Sequence, residues 1–123
     1  LMQKFVTAAK EQHTEVEIWG SGEQSRDLLY IKDAVRAMDL TLNNDKYDTV
    51  NIASGVEYTI KQIASTIAEI SGFTGRLWYN TNRPEGIGKR AISNKRLVDL
   101  GWEHQYCIRE ALTETYEWYY ENT

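Results

Sequence analysis

The chain has 123 residues, a formal net charge of −4 and a sequence pI of about 5.2. That length allows one domain with a modest core, and the acidic balance excludes a general nucleic-acid binder, which needs a basic face. A single cysteine, Cys107, excludes an internal disulfide and a cysteine-built zinc site.

In chain order, Leu1, Met2, Phe5, Val6 and Ala9 recur at helical spacing and predict an amphipathic helix over residues 1–11. The start lacks the ordered regions of a signal peptide and carries no initiating methionine, so a piece of a longer, cytoplasmic protein is expected. Glu15 to Trp19 alternates polar and apolar residues, the pattern of a strand with one buried face. Gly20-Ser21-Gly22 ends it, and Leu28 to Ile31 reads as a short strand or extended segment. Asp33 is placed to cap a helix carrying Val35, Met38 and Leu42 on one face, stopped by Asn43-Asn44-Asp45.

Val50-Asn51-Ile52 predicts another short strand. Thr59-Ile60-Lys61-Gln62 matches a capping box ahead of the stripe Ile60, Ile63, Ala64 and Ile67, and Gly72 sits where a C-terminal glycine belongs. Arg76 to Tyr79 is a strand, and Asn80 to Gly88 is a polar loop holding the only proline, Pro84. Ser93 opens a short helix ended by Gly101. Ile108 to Asn122 is the last helix, with the aromatics Tyr116, Trp118, Tyr119 and Tyr120 suited to docking or to a homodimer interface. The sum is a small mixed α/β unit of four to five helices and a few short strands, filling residues 1–123. Such scattered strands leave at least one apolar face in want of a partner. No apolar run is long enough to span a bilayer.

The chemistry is sparse. No G-x-G-x-x-G opens a helix, and Gly20-Ser21-Gly22 lacks the third glycine. His13 and His104 are too few and too far apart to suggest a metal site. Cys107 reads as buried or incidental. What remains is a set of ligand contacts. Arg26 follows a glycine turn, and its guanidinium suits a phosphate or carboxylate, or equally a structural ion pair with Asp33. Trp19 beside it serves as a flat ligand partner or as core. The loop from Arg83 to Arg90 gathers cations, Glu85 and two glycines, either to fold over an anionic ligand or simply to meet solvent.

Four blocks in order then resemble a known family over nearly the whole chain. They are Trp19-Gly-Ser-Gly with Arg26-Asp-Leu-Leu-Tyr-Ile-Lys-Asp33; Val50-Asn-Ile-Ala-Ser-Gly with Tyr58-Thr-Ile; Arg83-Pro-Glu-Gly with Lys89-Arg90 and Leu100-Gly-Trp102; and the closing helix from Ile108. They are similar to the C-terminal, substrate-binding part of NAD(P)-dependent nucleotide-sugar epimerases and dehydratases, the extended short-chain dehydrogenases. Within that family the likeness is greatest to the epimerase/reductases acting on GDP-4-keto-6-deoxymannose. GDP-mannose dehydratases and UDP-hexose epimerases share the plan.

The resemblance implies that Trp19, Arg26 and Glu85 contact a nucleotide sugar, a GDP-sugar by preference, and that Lys89 or Arg90 faces its phosphates. Lys32 and Gly88 depart from the family pattern, which usually carries an acidic residue and a proline there. The resemblance also places the cofactor, NAD or NADP, and the catalytic Tyr-x-x-x-Lys pair on an N-terminal Rossmann domain. Here the residues four after Tyr30, Tyr47, Tyr58 and Tyr116 are Ala34, Asn51, Gln62 and Tyr120. The expected chain is a substrate-binding unit with no catalytic, cofactor-binding or metal residues of its own.

Overall fold

A computed structural model describes residues 1–123. Helix α1 (Met2–Glu11) leads into strand β1 (Glu15–Trp19), where Val16 and Ile18 point inward and Glu15 and Trp19 face water. Strand β2 (Ser25–Asp27) and helix α2 (Ile31–Leu42) follow, then β3 (Glu57–Thr59), α3 (Ile60–Ser71), β4 (Arg76–Asn80), α4 (Lys95–Asp99) and α5 (Ile108–Asn122). The five helices and short strands form the small mixed α/β unit that the spacing predicts.

Two ladders hold the strands. β1 and β4 pair in parallel, from Glu15 opposite Arg76 to Trp19 opposite Asn80. Parallel pairing needs a long crossover, and everything from β2 to α3 serves as that crossover. β2 and β3 pair antiparallel, with Arg26 opposite Tyr58. The capping box forms: Thr59 Oγ1 accepts from the Gln62 amide at 3.1 Å, and Gln62 Oε1 accepts from the Thr59 amide at 2.9 Å. That fixes where β3 becomes α3.

The main core gathers Phe5 and Val6 from α1, Val16 and Ile18 from β1, Ile63, Ala64 and Ile67 from α3, and Leu112 and Tyr116 from α5. A smaller cluster of Ala37, Leu97 and Trp102 sits on the other side, flanked by Leu29, Leu40, Val50 and Ile52.

Several expectations need correcting. The short strand is Ser25–Asp27, not Leu28 to Ile31, because the partner that supplies hydrogen bonds, β3, runs beside the earlier residues. Val50–Ile52 is irregular: Val50 and Ile52 pack on the small cluster, but no strand lies alongside to form a ladder. Asp33 does not cap α2. Tyr30 is the cap residue, and Asp33 lies inside the first turn, 1% exposed. Its carboxylate instead accepts from the Gln105 amide at 2.9 Å, the Tyr106 amide at 3.3 Å and Arg36 Nη1 at 3.0 Å. α4 begins at Lys95 with Asn94 as its cap residue, not at Ser93. Cys107 is exposed and caps α5, its Sγ accepting from the Glu110 amide at 3.4 Å.

The predicted stripe of α2 exists but is uncovered: Val35, Met38 and Leu42 are all exposed, as is Ile31 at the start of the helix. The aromatics of α5 divide, with Tyr116 in the core and Trp118 and Tyr120 facing water.

Candidate functional site

The site begins where β1 ends. Trp19 closes the ladder, and the Gly20 amide donates to the Asn80 carbonyl at 2.9 Å, which starts a sharp turn. Gly20 (φ 88°) and Gly22 (φ 81°) both take left-handed backbone that other residues resist. A Cβ on Gly20 would also stand 2.8 Å from Glu85 Cγ, so the glycine is what lets the late loop approach. The turn is tied to the start of α3: the Lys61 and Ile60 amides donate to the Gly22 and Gln24 carbonyls, both at 2.9 Å. These bonds use amides that a helix N-terminus leaves free. β2 follows at once, and its middle residue is Arg26.

Asp27, the next residue, anchors the far side. One carboxylate oxygen accepts from the Ser54 amide at 2.9 Å and its hydroxyl at 2.8 Å, and the other accepts from the Gly55 amide at 2.8 Å. Asp27 and Asp33 therefore act as clamps on neighbouring loops, with their acceptors already committed.

The late loop is strapped across β2 by polar contacts. Ser25 N–H donates to the Gly88 carbonyl at 2.8 Å, and Arg26 Nη1 donates to the Ile87 and Ser25 carbonyls, both at 2.6 Å. The ion pair between Arg26 and Asp33 that the sequence allows does not form; Asp33 pairs with Arg36. Glu85 accepts from both the amide and the hydroxyl of Ser21. The hydroxyl first, then the amide, hold the Glu85 carboxyl below its usual range. Residues 81–92 are exposed throughout, so no buried side chain of their own fixes this loop.

Trp19, Arg26 and Glu85 line one cavity of about 300 Å³, together with Gln24, Lys4 and Pro84. Trp19 is 46% exposed rather than core, with the Arg83 guanidinium carbon 5.2 Å and Lys4 Nζ 5.7 Å from its ring centroid. Arg83 also stands 3.5 Å from Glu17. Lys89 and Arg90 lie outside the cavity. Lys89 Nζ is 3.6 Å from Glu57, and Arg90 is exposed without an ion pair. Neither Gln24 nor Lys4 is legible from the sequence as a site residue, since a lone polar residue in a turn or on a helix carries no pattern.

A larger cavity, about 530 Å³ and mostly apolar, lies elsewhere between Leu28, Tyr58, Tyr106 and Leu112. It holds none of the expected site residues, and its one carboxylate, Asp33, is saturated by the contacts above. Size alone does not make it the ligand site. The smaller cavity gathers a guanidinium, a carboxylate, an amide and an indole, the set of groups that orients a polar ligand.

A catalytic tyrosine needs its phenol brought down towards working pH. Tyr30, Tyr47 and Tyr79 each have a lysine ammonium 5.4 to 5.8 Å from the ring centroid. All three phenols are nonetheless pushed up: Tyr30 by its bond to Glu114, Tyr47 by its bond to Asp99, and Tyr79 by burial. No group of three or more potential metal ligands assembles anywhere. The Gly20–Gly22 turn feeds a strand, not a helix, so it offers no helix N-terminus for a pyrophosphate. No helix is long and apolar enough to cross a membrane.

Comparison with known proteins gives this geometry a context. Residues 1–53 match the model of the NAD dependent epimerase/dehydratase family. The chain is 34% identical to GDP-L-fucose synthase 1 of Arabidopsis thaliana, over 99% of this chain and 38% of that protein. The crystal structure of a GDP-L-fucose synthetase from Naegleria fowleri bound to NADP superposes with a TM-score of 0.89 at 29% identity, covering 98% of this chain and 39% of that one. UDP-glucose 4-epimerase of Thermotoga maritima, solved with UDP-glucose, gives a TM-score of 0.84 at 28% identity over 98% of this chain and 39% of that one. The chain thus spans about two fifths of the length of the proteins it matches.

Proposed function

We infer that this chain, which belongs to the NAD dependent epimerase/dehydratase family, supplies the nucleotide-sugar grip of an epimerase/reductase acting on a GDP-sugar in the manner of a GDP-L-fucose synthase. The observation that carries this reading is the convergence of Trp19, Arg26 and Glu85 on one cavity. Arg26 holds the phosphates: its Nη1 is spent on two carbonyls, which fixes the plane of the guanidinium and leaves the other nitrogens of the fork for an anion. Trp19 offers a flat apolar face, and Glu85, a carboxylate kept ionised by Ser21, accepts from sugar hydroxyls. Lys89 or Arg90, both outside the cavity, is in this reading the further cation that faces the phosphates.

Hydride and proton transfer, in this reading, belong to a cofactor-binding partner. The uncovered stripe Ile31, Val35, Met38 and Leu42 of α2, and the unpaired stretch at 50–52, are the surfaces suited to receive it. Purified chain mixed with NADPH and GDP-4-keto-6-deoxymannose is expected to consume no NADPH. Steady consumption would overturn the assignment of chemistry to another part.

A UDP-sugar is the second reading, favoured by the superposition on the UDP-glucose complex. Calorimetric titration with GDP-mannose and UDP-glucose separates the two: tighter GDP-mannose binding supports the first, the reverse supports the second.

A further inference from the structure

We propose that Gln24 is a specificity-determining residue of this cavity, its amide oxygen accepting a hydrogen bond from a hydroxyl of the bound nucleotide sugar. The inference rests on the reading of the cavity as a nucleotide-sugar site. Gln24 is 5% exposed and lines that cavity beside Trp19, Arg26 and Glu85. Its Nε2 donates to the Trp19 carbonyl at 3.1 Å, while its Oε1 is buried and has no partner. The amide is not simply reversed. A flip would set its oxygen against the Trp19 carbonyl oxygen, acceptor against acceptor. Nor is the residue needed for its backbone alone, since the carbonyl that receives the Ile60 amide would be present whatever the side chain.

A buried acceptor without a donor lowers stability and is rare in folded proteins. Here it stands at the one place where a guanidinium, a carboxylate and an indole also converge. The oxygen is closed off from water and unpartnered in the free chain, so its donor arrives with a ligand. The turn supplies the rigidity: Gly22 and Gln24 carbonyls are pinned to the first amides of α3, which fixes where the amide oxygen stands.

The test is calorimetric titration of the chain and of Gln24→Met with GDP-mannose and with GDP, alongside thermal melts of both proteins. Gln24→Met keeps the length and removes both polar atoms. The proposal expects GDP-mannose binding to weaken about fivefold or more, with a melting temperature little changed, because losing the Nε2 bond to the Trp19 carbonyl offsets removal of the unpaired acceptor. Loss for GDP-mannose alone assigns the donor to the hexose, and equal loss for GDP assigns it to the ribose; both support the acceptor role. Unchanged affinity in Gln24→Met overturns the proposal, as does a lowered melting temperature that accounts for the lost binding. If Gln24→Met does not fold, Gln24→Asn, which keeps the amide but withdraws it by one methylene, is judged by the same two measurements. Failure of the unsubstituted chain to bind either ligand rejects the cavity reading itself, and this proposal with it.

Discussion

The core side and the loop side of this molecule are built from different forces. Between α1, β1, α3 and α5, ten side chains bury one another, and Phe5 and Ala64 reach zero exposure. Across β2, the segment 81–92 buries nothing and is held by Ser21, Ser25 and Arg26 through hydrogen bonds. Apolar burial is non-directional and hard to reverse in part, whereas a polar strap can exchange its partners for those of a ligand. The difference assigns stability to one side and, under the proposed function, recognition to the other.

Breaking the core side should cost most. Phe5→Ala removes a fully buried ring that meets Phe73 edge-on at 5.8 Å between centroids. Denaturant unfolding is expected to show a loss of about 3–5 kcal/mol. A loss near zero would mean that the side chains do not pack as described. Asp33→Ala comes next. It strips the acceptor from the Gln105 and Tyr106 amides and from Arg36, and should cost about 1–3 kcal/mol in the same measurement.

The loop side should respond without global unfolding. Ser21 lowers the folded-state pKa of Glu85, so the strap is complete above the ordinary carboxylate range and is lost as pH falls through the lower, folded value. The Ser21 amide resonance should therefore titrate with a midpoint below that range, and Ser21→Ala should bring the Glu85 midpoint back up. A midpoint at the ordinary value in the unaltered protein would show that the strap is not formed.

Much of this division is legible in the sequence. The helices of the core side carry their apolar residues at regular spacing, and the capping box at Thr59 fixes an element boundary to the residue. What escapes is whatever depends on a neighbour. Val50–Ile52 has strand-like residues, yet a strand needs a partner, and none lies beside it. Ser25–Asp27 looks unremarkable until β3 pairs with it. Asp33 reads as a cap by position, but its carboxylate is captured by residues more than seventy further on. In the site, Trp19, Arg26 and Glu85 come from motifs, while the Ser21–Glu85 strap and the buried Gln24 amide depend on contacts between distant residues, which no local pattern encodes.

The central claim is that Arg26 and its neighbours grip a nucleotide sugar, and calorimetry tests it most directly. GDP-mannose should bind the chain, and Arg26→Ala should weaken that binding by about 1–3 kcal/mol with the fold intact by circular dichroism. Equal affinity in Arg26→Ala would contradict the account.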